Sequence, residues 1–189
     1  MKGILCPLVL LLILSIVEVA QESADVKQGL TKPQTVDEEN AARMKPLLIG
    51  ATITIYGKNI DGSPGGSNQI TITQADVDDC TLSVRLKRTV LRPGMPAAEI
   101  DESLMFNLLD VELSGVFVKR DGTGFNVVVP AIGDADRVTR KTLSIDNKPN
   151  GMTLKHSWTE YGFADQENAK RFVAALKESV ARCRQIKKP

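Results

Sequence analysis

The chain has 189 residues, with 24 Lys and Arg against 23 Asp and Glu and a formal net charge of +1 at pH 7. Such a balance provides no overall field to attract nucleic acid or an anionic membrane, and an aromatic content of 4% leaves few side chains to stack on bases. These properties exclude nucleic acid as an expected partner.

The N-terminus has the pattern of a secretory signal. Lys2 precedes an apolar run over residues 4–17, which is short for a membrane span. Ala20 suits the position before a cleavage site, whereas Glu18 does not, so an uncleaved anchor is the alternative. We predict a signal peptide at residues 1–20 and export to the periplasm or the outside of the cell.

Residues 21–45 are polar and charged, and they lack a lasting apolar period. This composition predicts a flexible linker, with a weak helical pattern over residues 36–44. Residues 46–189 then form a single domain, because a segment of this length suffices for one core.

From Leu47 the chain consists of short segments rich in Val, Ile and Thr, separated by Gly, Pro, Asn and Asp. This texture is typical of an antiparallel β domain. The apolar phase slips between Leu108 and Leu109, which a strand permits only through a bulge, a bend or burial on both faces. Of these three we predict a β-bulge. The predicted strands cover residues 51–58, 70–73, 80–90, 103–113, 116–120, 125–132, 141–146 and 152–161.

An amphipathic helix is predicted at the end of the chain. Apolar residues recur there at three- and four-residue steps from Ala169 to Cys183. Asp165 is a suitable N-cap, and basic residues crowd the last turns, where the helix dipole favours cations.

About seven strands followed by a terminal helix resemble a pleckstrin-homology-like (PH-like) domain in their order. Residues 158–172 resemble the last strand of such domains running into their helix. Trp158 departs from the pattern, since it lies on the strand whereas PH helices commonly carry a Trp. The resemblance implies a mainly β fold with one C-terminal α-helix (α+β): a bent antiparallel β-sandwich or a partly open barrel, capped by the helix.

Two cysteines lie beyond the signal, Cys80 and Cys183, and each falls on the apolar face of its segment. In an exported chain this predicts a structural disulfide. The alternatives are two free buried thiols, a redox pair and a metal site. The last two lack the neighbours they need, because there is no Cys-x-x-Cys and a single His cannot complete an ordinary zinc shell.

His156 is in phase with apolar neighbours on its predicted strand, so we interpret it as a hydrogen-bonded core residue rather than a general base. Two acidic groups, residues 76–79 and 99–102, lack the spacing of a calcium loop and are interpreted as solvated turns. No metal or cofactor is predicted.

The Gly-rich loop over residues 57–68 lacks the Lys-Ser or Lys-Thr pair of a phosphate-binding loop, which favours a flexible hairpin connection. In PH-like domains some members bind inositol phosphates at the first long loop. The resemblance therefore implies Lys58, Arg85 and Lys87 as candidate ligand-facing basic residues, although phosphoinositides are not expected on the exported side.

No nucleophile elbow or zinc-protease motif occurs in the chain. We therefore expect an exported, non-catalytic binding or scaffolding module that binds a protein or peptide at a sheet edge or beside the terminal helix. One alternative is an envelope structural domain tethered by an uncleaved signal. Another is a small hydrolase that uses carboxylates alone, which needs geometry rather than a motif.

Overall fold

The computed structural model describes residues 35–58 and 64–187, so the predicted signal peptide at 1–20 lies outside the described residues. Helix α1 spans Val36–Leu48, and helix α2 spans Gln166–Ile186. The strands are β1 (Thr52–Lys58), β2 (Pro64–Asp78), β3 (Thr81–Leu91), β4 (Ala98–Asn107), β5 (Phe117–Asp121), β6 (Gly124–Pro130), β7 (Val138–Ile145), β8 (Lys148–Pro149), β9 (Thr153–His156) and β10 (Trp158–Phe163).

The strands form two antiparallel sheets. The large sheet has seven strands in the order β1-β2-β3-β4-β7-β8, and β9 also pairs with β7. The small sheet has the order β10-β6-β5. The predicted mainly β fold with a C-terminal helix is therefore confirmed. In the described part of the chain the sheets do not close into a barrel, which is consistent with a β-sandwich capped by the helix.

Helix α2 packs on the core through a single face, as the sequence period predicted. Phe172 is fully buried, and its ring lies 5.1 Å from that of Tyr161 and 5.4 Å from that of Phe163, measured between centroids. Asp165 caps the helix, since its carboxylate accepts a hydrogen bond from the backbone N–H of Asn168 at 2.7 Å. The aromatic contacts attach the small sheet to the helix.

Helix α1 corrects the predicted linker boundary. Thr35 and Glu38 form a reciprocal capping box at its start, and its inner face includes Met44 and Leu48, both fully buried. The helix also packs against α2. Residues from Val36 onward therefore belong to the folded domain, because their apolar side chains complete its core. The part of the predicted linker before residue 35 is outside the described residues.

The predicted β-bulge between Leu108 and Leu109 is wrong. Strand β4 ends at Asn107, and a 3-10 helix spans Leu108–Asp110. The side chain of Asn107 accepts a hydrogen bond from the backbone N–H of Leu109 at 2.9 Å, which stabilises the turn. A helical turn changes the face that an apolar residue occupies, so it produces the same phase slip in the sequence as a bulge.

A disulfide joins Cys80 to Cys183, with 5.9 Å between their Cα atoms, and links the start of β3 to the last turns of α2. Asp37 of α1 reaches the same point, because its carboxylate accepts hydrogen bonds from the backbone N–H groups of Asp79 and Cys80 at 2.9 and 3.0 Å. Both helices are thus fixed at one end of β3. Disulfides of this kind persist in oxidising compartments.

None of the helices in the described ranges is long and apolar enough to cross a membrane.

A candidate ligand-binding cleft between the sheets

A cleft of about 290 Å³ lies where the two sheets face each other. Its volume is near the lower end of the range for small-molecule sites, roughly 300–1,000 Å³. Strands of the large sheet supply most of the lining, and β6 and β10 of the small sheet supply the opposite side. The apolar lining residues are Ala51, Ile53, Ile55, Ile70, Ile72, Leu86, Leu104, Val138 and Trp158.

The same cleft collects buried polar atoms that lack a hydrogen-bond partner. Seven such side-chain atoms occur in the described part of the chain, and five of them belong to residues that line the cleft. Native structures contain few buried polar groups without partners, and their concentration at one cavity makes this cleft the candidate site. The five are Arg88 Nε, Asn126 Oδ1, His156 Nε2, Thr159 Oγ1 and Tyr161 Oη.

Tyr161 contributes a hydroxyl that remains protonated. The residue is 2% exposed, and this burial raises the pKa of the phenol above its ordinary value, whereas the nearby hydroxyl of Thr159 opposes the shift. The neutral O–H group is therefore available both to donate and to accept a hydrogen bond.

An ionic group, here called the arginine–glutamate cluster, lies on the large sheet. It consists of Glu102 on β4, Arg88 on β3 and Arg140 on β7. In the strand pairing, Glu102 lies opposite Leu86 of β3 and Thr142 of β7. Arg88 is two residues after Leu86, and Arg140 is two residues before Thr142. An offset of two residues keeps a side chain on the same face of the sheet, at a diagonal distance that long side chains can span.

Glu102 accepts hydrogen bonds from both arginines. Arg88 Nη2 lies 2.8 Å from Glu102 Oε2, whereas Arg140 binds in a bidentate manner, with its Nε 3.1 Å from Oε1 and its Nη2 2.6 Å from Oε2. The Glu102 residue is 5% exposed. Burial raises the pKa of its carboxyl, and the positive charge of Arg88 opposes that shift.

The cluster has an excess positive charge of one, because two guanidinium groups share one carboxylate. Across the cleft, the carboxylate of Glu160 binds Lys119 Nζ at 2.5 Å and Asn126 Nδ2 at 3.1 Å. That pair is electrically neutral. The electrostatic character of the cleft is therefore set by the arginine side.

The candidate basic residues from the sequence lie elsewhere. Arg85 and Lys87 are exposed on the face of β3 opposite to Arg88, and Lys87 Nζ pairs with Glu99 at 2.7 Å. The backbone of Lys58 ends β1, and its side chain is outside the described atoms. The cleft contains neither Arg85 nor Lys87, and a ligand role for the three residues stays a prediction.

The interpretation of residues 99–102 as a solvated turn is wrong. They lie within β4, and Glu102 is buried because two arginines neutralise it. A readable signal existed at Arg88, which follows Leu82, Val84 and Leu86 in the inward phase of its strand. A basic residue at a strand position where the alternation predicts an apolar one indicates a buried anionic partner.

The interpretation of His156 as a hydrogen-bonded core residue is also wrong. Met152 and Leu154, its neighbours in phase, are 53% and 45% exposed, so this face of β9 is not core. His156 itself is half-buried and lines the cleft, and its Nε2 has no partner within the described ranges.

No family model, curated protein or solved structure matches this chain. The resemblance to PH-like domains accordingly stays a prediction.

Proposed function

We propose that the chain is an exported, non-catalytic binding protein whose ligand occupies the cleft between the sheets. The observation that carries this proposal is the concentration of five unpartnered buried polar atoms on a cleft with a largely apolar lining. Apolar walls supply affinity through desolvation, and a few convergent polar groups fix the orientation of a ligand.

The state of the carboxylates in the cleft wall and in the adjacent arginine–glutamate cluster supports binding rather than hydrolysis. Glu102 is held by two guanidinium groups, and Glu160 is held by Lys119 and Asn126. A general acid or base must exchange its proton with a substrate, and a nucleophile must present a free oxygen. Carboxylates engaged in ion pairs are poorly suited to either role.

The size of the cleft favours a small molecule over the protein partner expected from the sequence. Export is supported by the disulfide between Cys80 and Cys183, since such bonds persist outside the reducing cytosol. Tethering by an uncleaved signal depends on residues 1–20, which are outside the described ranges, and it remains the alternative.

The test is binding of a neutral apolar fluorophore, N-phenyl-1-naphthylamine, to the purified protein. We expect saturable fluorescence enhancement with the wild-type chain and its loss in Ile70→Trp, because Ile70 lines the cleft and a larger ring fills it. Gln69→Trp is the matched control, since Gln69 is the exposed neighbour on β2. Equal binding by both variants would refute the proposed site.

A second candidate is peptide binding at the edge of the small sheet. β5 is an edge strand, and its Phe117 is 52% exposed. Edge strands offer unpaired backbone groups to which a peptide can add. A photo-crosslinking phenylalanine at position 117 should then capture a peptide partner from the exported fraction, whereas the same group at the exposed Lys177 of α2 should not.

A further inference from the structure

The arginine–glutamate cluster has more hydrogen-bond donors than acceptors. A guanidinium group has five N–H donors, and Arg88 directs a single hydrogen bond to Glu102. Its Nε is buried without a partner among the described residues. The excess positive charge of one thus coincides with an unused donor, and together they define a place for an anionic acceptor.

Apolar side chains continue the sheet face that carries the cluster. Leu86 precedes Arg88 by two residues on β3, and Leu104 follows Glu102 by two residues on β4, so both leucines continue the same face of the sheet. Both also line the cleft. An anion bound at the arginines would therefore have its remaining atoms against hydrocarbon.

From this arrangement we infer that the ligand is a small organic monocarboxylate, with an apolar body in the cleft and a carboxylate head at Arg88 and Arg140. The inference rests on the proposed function. A single negative charge matches the excess charge of the cluster. Arginine forks also suit a planar carboxylate, to which they can donate two parallel hydrogen bonds.

The experiment compares ligands that share a body and differ in the head. Decanoate, decanol and decyl phosphate are titrated at neutral pH against bound N-phenyl-1-naphthylamine, and acetate represents the head alone. We expect decanoate to bind at least about tenfold more tightly than decanol, which corresponds to the lower range for a hydrogen bond to a charged group. Acetate should not displace the fluorophore.

Two variants of β3 identify the charged group responsible. Arg88→Met removes the excess charge but leaves the bidentate pair of Arg140 and Glu102, so it should abolish the advantage of decanoate over decanol. Arg85→Met removes the same charge from the exposed face and should preserve the advantage. If Arg88→Met does not fold, Arg140→Lys is used instead. Lysine keeps the positive charge but cannot donate two parallel hydrogen bonds to a carboxylate, so this variant should reduce the advantage of decanoate over decanol.

The possible failures are distinguishable. Equal affinity for decanoate and decanol, tighter binding of decyl phosphate than of decanoate, or loss of the advantage in Arg85→Met alone would overturn the inference and leave the proposed function standing. The inference and the proposed function would both be overturned if the folded wild-type protein bound neither the fluorophore nor any of the three decyl ligands.

Discussion

Glu102 is held between the guanidinium groups of Arg88 and Arg140 on one face of β4. Residues 99–102 contain three carboxylates, and yet only Glu102 is buried. The difference arises from strand alternation, which directs Glu99 and Asp101 to the other face of β4. There Glu99 pairs with Lys87 at the surface, whereas Glu102 compensates two arginines.

Replacing Glu102 by alanine should destabilise the fold by about 3–5 kcal/mol, because it leaves two partly buried guanidinium groups without a counter-charge. The free energy of unfolding in urea, followed by circular dichroism, measures this effect. Glu99→Ala on the same strand is the control and should cost no more than about 1 kcal/mol, as is typical of exposed ion pairs. Similar losses in the two variants would contradict the central role of Glu102.

At this scale the sequence was informative where a residue acts through local geometry. Asp165 is predictable as an N-cap because the capping interaction spans three residues. The arginine–glutamate cluster is not predictable in this way, because its members come from three strands whose pairing no local pattern reveals. The one indication in the sequence is that Arg88 falls on the same face of its strand as Leu82, Val84 and Leu86. Its interpretation depends on Glu102, which is fourteen residues away.

At the scale of elements, β1 and β10 meet closely at a glycine. A Cβ atom at Gly162 would lie 2.4 Å from the Cβ of Ile53, which is well inside normal contact distance. Both residues line the cleft. The absence of a side chain at position 162 therefore allows the two sheets to approach, and it sets the width of the cleft at this point.

Gly162→Ala should lower the free energy of unfolding by about 1–3 kcal/mol, the usual cost of overpacking, because the sheets must separate to admit the methyl group. Thermal or urea unfolding measures the loss. Gly151→Ala is the matched control, since a Cβ there meets nothing within 4 Å and should change stability by less than about 0.5 kcal/mol. Tolerance of alanine at position 162 would show that the sheets are less tightly packed than described.

Helix α1 shows why element boundaries were harder to predict than element types. The helix has a capping box at Thr35 and Glu38, a pattern that is readable from sequence alone. Its apolar face is short, however, and includes the polar but fully buried Asn40. An element with so little periodicity is stabilised by its tertiary contacts, here with α2, rather than by its own sequence.

For the whole molecule, the disulfide closes a loop with a sequence separation of 103 residues. Replacing both Cys80 and Cys183 by serine should reduce the free energy of unfolding by about 4–5 kcal/mol in the chain-entropy model. Urea denaturation of the double variant and of the oxidised wild-type chain gives the difference. An unchanged midpoint would show that the denatured chain gains no freedom when the bond is absent.

The general architecture followed from the sequence because hydrophobic periodicity changes from two to 3.6 at the end of the chain. The division into two sheets did not follow, because it requires β10 to pair with β6 and β9 to pair with β7 across only one intervening residue, Ser157. Adjacent runs such as residues 152–161 look like one strand until the partners are known.

The disulfide and the arginine–glutamate cluster lie far apart along β3. Arg88 is eight residues after Cys80 along β3, so roughly 25 Å of extended chain separates them. Effects of substitutions at such a distance are usually additive. The disulfide therefore lies at one end of β3 and the arginine–glutamate cluster at the other, so substitutions of Arg88 should leave the contribution of the disulfide to stability unchanged.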